Sequence, residues 1–113
     1  MIRKIAVTGN RQGWDYNTIK EALRKEVLPD DILVSGGAIG VDTMTEQYAA
    51  ENSHSIIIVR PASKTKEAYL SRNRIIVNIS DLVIAFNKKE RSGTGYTINY
   101  ARKQGKPVIL YKS

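Results

Sequence analysis

Ser35-Gly36-Gly37-Ala38-Ile39-Gly40-Val41-Asp42 is the stretch that decides the fold. It follows the apolar run Ile32-Leu33-Val34 and leads into a helix-like segment. Glycine lets a backbone approach a neighbour or a ligand where a side chain would clash. Helix-opening amides attract negative charge. The reading is a phosphate-binding strand-to-helix turn, with a plain tight connection as the alternative.

Working outward, short apolar runs alternate with amphipathic segments. Strands are predicted at Ile2–Thr8, Asp31–Ser35, Ser55–Arg60, Asp81–Phe86 and Pro107–Tyr111. They are continuous apolar runs, as strands covered on both faces require. Helices are predicted at Tyr16–Val27, Asp42–Asn52, Lys66–Ile79 and Tyr96–Gln104. The second opens on Thr43-x-x-Glu46, a capping-box pattern. The fourth stops at Gly105 with Pro107 beyond. This alternation implies an α/β fold, a three-layer sandwich of about five parallel strands with helices on both faces. No linker, repeat or low-complexity segment interrupts it, so residues 1–113 read as one domain.

Ligands of such sheets bind outside the carboxyl ends of the strands. The polar and glycine-rich segments do follow strands: Gly9-Asn10-Arg11, the Ser35–Asp42 turn, and Asn87 to Arg91 followed by Ser92-Gly93-Thr94-Gly95. Arg11 offers a planar, permanently charged fork to a phosphate or carboxylate. Asp42 suits either a helix-capping role or a ribose hydroxyl. Ser92, Gly93 and Thr94 supply amides and hydroxyls for a second phosphate or a ribose, or else a loop with Thr94 as cap. In Arg72-Asn73-Arg74 one side chain must lean toward the sheet edge. Tyr96 is the aromatic best placed to stack on a base. Trp14, Tyr48, Tyr69 and Tyr100 read as packing residues.

Composition bounds the function. The chain carries a formal charge of +7, which favours anionic partners. Its cations are dispersed, and Lys64/Lys66 and Lys88/Lys89 read as solvated faces. It has no cysteine, so disulfides and thiolate metal sites are excluded. No His/Cys/carboxylate cluster has metal spacing, and His54 reads as structural. No apolar stretch is long enough to span a bilayer, and no secretory pattern opens the chain, so a cytoplasmic location without membrane partners is expected. Ser35-x-Gly37-x-x-Gly40 lacks the first glycine of the dinucleotide fingerprint and follows the second strand. Near Arg60 it meets a cation instead of an acid, so a nicotinamide dehydrogenase is excluded. No cofactor is expected.

The chain resembles the SLOG superfamily, the Rossmann-like group that includes DNA-processing protein A, the cytokinin-activating LOG enzymes and small stand-alone nucleotide-binding members. The resemblance is carried by Thr8-Gly9-Asn10-Arg11, Ser35-Gly36-Gly37-Ala38-x-Gly40-Val41-Asp42, Arg72-Asn73, Asp81 and Ser92-Gly93-Thr94. It implies a nucleotide or nucleotide-derived ligand, such as a nucleoside phosphate or an ADP-ribose-like molecule. Gly9, Asn10, Arg11, Ser35, Gly36, Gly37, Gly40, Asp42, Arg72, Asn73, Ser92, Gly93, Thr94 and Tyr96 are then the ligand-binding candidates. It also implies self-association into a homo-oligomer. The LOG signature P-G-G-x-G-T-x-x-E departs here: Thr97 stands at the glutamate position and Glu90-Arg91-Ser92 replaces the leading residues. The expectation is therefore a sensor or sequestering module. The alternatives are an N-glycosidase acting on nucleoside monophosphates, with Asp42 as acid, and a single-stranded DNA binder.

Overall fold

The computed structural model describes residues 2–89 and 91–113; Met1 and Glu90, both within stretches quoted above, lie outside the described residues. The strands are β1 (Lys4–Gly9), β2 (Ile32–Ser35), β3 (Ile56–Ile58), β4 (Leu82–Phe86) and β5 (Val108–Tyr111). They form one parallel sheet of order β3-β2-β1-β4-β5. Strand order reverses between β1 and β4, whose carboxyl ends are in register at Gly9 and Phe86.

The helices are α1 (Tyr16–Glu26), α2 (Val41–Glu51), α3 (Lys66–Ile79) and α4 (Gly93–Lys103). Right-handed crossovers put α1 and α2 on one face of the sheet and α3 and α4 on the other. Each face has its own core. Ile19, Leu23, Val41 and Tyr48 meet Ile5, Val7, Leu33, Ile84 and Phe86 on the first. Ile76, Val77 and Ala101 meet Ala6, Val34 and Val83 on the second. Successive strand residues point to opposite faces, so Ala6 and Val7 serve different cores. That is why β1 reads as a continuous apolar run.

The ends of elements depart from the sequence reading in three informative places. First, α4 begins at Gly93, three residues before its expected start at Tyr96. Ser92, not Thr94, caps it, its Oγ accepting the Gly95 N–H at 3.0 Å. The glycines that suggested a loop are the first helical turn, where a missing side chain costs little. Second, the Thr43–Glu46 capping box does not form. Gly40 is the cap of α2, with φ of 85°, and Thr43 Oγ1 donates to the Ala38 carbonyl. Third, β3 ends at Ile58. Val59 still donates to Ser35 O, but Pro61 follows and has no N–H to continue a ladder. Among the described residues no helix is long and apolar enough to cross a membrane.

Candidate functional site

At the β1–β4 reversal, the loops leaving both strands part and open a crevice on the α3–α4 side of the sheet. Its cavity is about 340 Å³ and is lined by Thr8, Arg11, Gly36, Asp42, Lys66, Tyr69, Arg72, Asn73, Gly93 and Thr94. That volume sits at the lower end of small-ligand sites. Elements far apart in sequence supply the walls: the β1–α1 loop, the β2–α2 turn, the inward face of α3 and the amino end of α4.

Arg72 organises the β2–α2 turn. It is only 7% exposed, and its Nη1 donates to the Gly36 carbonyl at 2.6 Å and to the Val59 carbonyl at 3.4 Å. Its Nε donates to Asn73 Oδ1 at 2.8 Å. A Cβ built on Gly36 would lie 2.6 Å from Arg72 Nη1 and 3.0 Å from Asp42 Oδ2. Gly36 is therefore glycine because a guanidinium occupies its side-chain space. Gly37, with φ of 72°, is likewise packed against Arg60 and Ile58, and a Cβ on Gly40 would strike the Arg11 backbone. The sequence reading assigned these glycines to ligand approach; their space is filled by the protein itself.

Asp42 lies in the first turn of α2 and is 9% exposed. Its Oδ2 accepts the Ala38 N–H at 3.1 Å, closing the turn. Burial pushes its carboxyl above the ordinary range, against the opposing pull of the Ala38 N–H, the Arg72 charge and the Ser35 hydroxyl. Burial pulls Arg72 down, with Asp42 opposing. Each charge partly offsets the burial of the other, with no direct ion pair between them among the described residues. Ser35 is fully buried, its Oγ accepting from Gly37 N.

The β2–α2 turn lines the cavity through Gly36, Ala38 and Asp42, while the first amide of α2 is engaged within the protein. Val41 N donates to Asn10 O at 3.4 Å, and the Arg11 backbone covers Gly40. Gly9 is packed too, since a Cβ there would meet Val41 at 2.5 Å. The amino end of α4 is open. A Cβ on Gly93 would meet nothing within 4 Å. A helix start leaves its first amides without intrahelical partners. Ser92 satisfies that of Gly95, while those of Gly93 and Thr94 carry the positive end of the helix dipole at the cavity wall.

Tyr69 supplies the aromatic surface. The Arg11 and Arg72 guanidinium carbons each lie 5.8 Å from its ring centroid. Tyr96 does not line this cavity: its hydroxyl accepts from Arg74 Nη1 at 2.7 Å. Thr97, at the position of the LOG glutamate, is buried and donates to the Gly93 carbonyl at 3.0 Å. Lys66 and Tyr69 were read from sequence as surface and packing residues. A signal was nonetheless there: Lys66, Tyr69 and Asn73 fall at i, i+3 and i+7, one face of α3. The described ion pairs are Arg3–Asp31, Arg24–Glu21 and Arg74–Glu67, so none engages Arg11 or Lys66. No acidic or histidine cluster among the described residues could hold a metal.

A model of the YspA, cpYpsA-related SLOG family matches residues 3–65, and a model of DNA recombination-mediator protein A matches residues 58–113. No curated protein sequence is significantly similar to the chain. Among solved structures, DNA processing protein A from Streptococcus pneumoniae superposes with a TM-score of 0.86 at 23% identity, over 96% of this chain and 50% of that one. DNA processing protein A from Helicobacter pylori, described with a single-stranded DNA binding mode, gives 0.76 at 24% identity, over 96% and 64%. The structural-genomics target TM1055 gives 0.71 at 18% identity, over 94% and 72%. The chain thus spans half to under two-thirds of the two DNA processing proteins. At these identities the likeness is one of fold.

Proposed function

The chain belongs to the YspA, cpYpsA-related SLOG family, and from that membership and the crevice geometry we propose that it binds a nucleoside phosphate at the β1–β4 switch point. The observation that carries the reading is the open amino end of α4. Gly93 and Thr94, at that end, line a cavity that Arg11 and Lys66 also line. A phosphate there gains both amide donors and flanking cations. Tyr69 gives a face on which a base stacks.

The candidates divide accordingly. Arg11, Gly93 and Thr94 contact phosphate, and Asn73 reaches the sugar. Gly36, Asp42 and Arg72 hold the turn that forms the wall, while Gly9, Ser35, Gly37 and Gly40 allow the loops to pack. The reading is one of binding, as in a sensor or sequestering module. Thr97 is spent on a helix carbonyl, and the carboxylate in the cavity, Asp42, is tied to Ala38 and faces Arg72. Calorimetric titration of 5′-AMP against adenosine tests it. AMP should bind at least about tenfold tighter, a difference of about 1.4 kcal/mol. Equal affinities would remove the phosphate site.

One observation favours single-stranded DNA as a second reading. Cations continue along the sheet edge on both sides of the crevice. Arg60 and Lys64 line a chamber of about 490 Å³ on the Tyr69 side, and Lys88 and Lys89 line a cleft of about 670 Å³ beyond Gly93. Oligonucleotide affinity that falls steeply with salt and exceeds that for AMP would favour it.

A further inference from the structure

The loops that form the two lips of the crevice are tied together by one buried atom. Asn87, the residue after β4, is 9% exposed. Its Oδ1 accepts from Asn10 Nδ2 at 2.9 Å and from Lys89 N at 3.3 Å, and at 3.1 Å it shares the single Ser92 Oγ proton with the Lys89 carbonyl, 2.9 Å from that oxygen. Asn10 Oδ1 in turn accepts from Lys88 N at 2.8 Å and from Trp14 Nε1 at 3.4 Å. Lys88 Nζ reaches across to the Gly13 carbonyl at 2.5 Å and sits 4.8 Å from the Trp14 ring centroid. The main chains of both asparagines are already pinned, Asn10 N to Phe86 O and Asn87 N to Tyr111 O.

Asn10 immediately precedes Arg11, and Ser92 immediately precedes Gly93. A shift at Asn87 therefore moves both phosphate-facing groups. The acceptor is a neutral amide oxygen. A carboxylate could accept the same three donors, but its charge would oppose an anion at the neighbouring helix end.

We propose that Asn87 is a positioning residue that sets the spacing between Arg11 and the first amides of α4, and so gives the site its preference for a phosphorylated over an unphosphorylated nucleoside. The proposal rests on the nucleoside phosphate reading for its ligand, but the clasp itself has a ligand-free reporter. Trp14 is the single tryptophan of the chain and hangs on Asn10.

The test combines Trp14 emission and acrylamide quenching with calorimetric affinities for 5′-AMP and adenosine, in wild type, Asn87→Ala and Asn87→Asp. In Asn87→Ala, Trp14 emission shifts to the red and quenches more readily. The AMP-to-adenosine affinity ratio falls about tenfold while adenosine binding is unchanged. In Asn87→Asp, Trp14 emission stays as in wild type, and AMP affinity alone falls. Wild-type emission together with a wild-type ratio in Asn87→Ala overturns the proposal. Should Asn87→Ala lose its far-UV dichroism, a red-shifted Trp14 in folded Asn87→Asp overturns it instead. Should the wild-type protein bind AMP and adenosine equally, the nucleoside phosphate reading and the specificity role fall together. Trp14 then still decides whether Asn87 joins the two loops.

Discussion

Replacing Gly93 by aspartate separates binding from folding at the proposed phosphate position. Gly93 is the first residue of α4, and a Cβ there meets nothing within 4 Å. Its backbone conformation is one that any L-residue adopts, since Gly93 is not among the positive-φ glycines. The substitution therefore introduces no clash. Removing a glycine restricts the unfolded chain, and a carboxylate in a first helical turn interacts favourably with the dipole. Together these stabilise by up to about 1 kcal/mol. The same carboxylate occupies the space where an anion would sit and offsets the charge of Arg11. Two like charges about 4 Å apart at an effective dielectric near 20 repel by about 4 kcal/mol. Even a quarter of that, after solvent screening, lowers AMP affinity by about fivefold to tenfold. The expected result is a melting temperature equal to or above wild type with AMP binding strongly reduced and adenosine binding retained. A variant that melts as expected and binds AMP like wild type would refute the placement of phosphate at α4. Gly37→Asp is a poorer probe, because φ of 72° and the contact with Arg60 strain any side chain there.

Arg72→Ala leaves the Gly36 and Val59 carbonyls without their side-chain donor and removes the charge that opposes the burial of Asp42. Unfolding in urea should show a loss of about 2 kcal/mol, and Arg72→Lys should recover only part of it. Acid unfolding should depend on Asp31. Burial raises its carboxyl, but the Arg3 bond and the Leu28 N–H outweigh this and hold it below the ordinary aspartate range. Its contribution is thus complete above the unfolded pKa and disappears as pH falls through the folded one. Asp31→Asn should flatten the acid limb of the stability profile measured from neutral pH down to about pH 3. Asp42 has the opposite sign: its folded pKa is raised, so deprotonation on going up through that value costs stability. The Arg60→Ala/Lys64→Ala double variant should leave AMP affinity unchanged. If single-stranded DNA runs along the edge, the slope of log affinity against log salt should fall by about 1.4, roughly 0.7 for each lost phosphate contact.

Much of the architecture was legible without coordinates. Continuous apolar runs such as Leu82–Phe86 report burial on both faces. Gly105, with φ of 74°, ends α4 by local chemistry that any chain would obey. The rule that polar loops gather after parallel strands located the crevice before its walls were known. Local patterns misled where a long-range contact competed. Thr43-x-x-Glu46 has the form of a capping box, yet Thr43 turns back to Ala38 because Gly40 lies under the Arg11 backbone. Tyr96 follows a glycine turn, yet Arg74 from the neighbouring helix engages its hydroxyl.

Periodicity, turn chemistry and composition alone fix the parallel α/β sheet, the edge at which its polar and glycine-rich loops collect, and a net charge of +7. These are local or additive properties. Which helix start has its first amide engaged is set by long-range contacts. Both α2 and α4 begin at glycine-rich turns with similar intrinsic potential for an anion. The β1–α1 loop lies across the first and leaves the second clear, because Asn10 is bonded to Val41 on one side and to Asn87 on the other. Such a choice depends on contacts between residues some thirty to eighty positions apart, which no local pattern encodes.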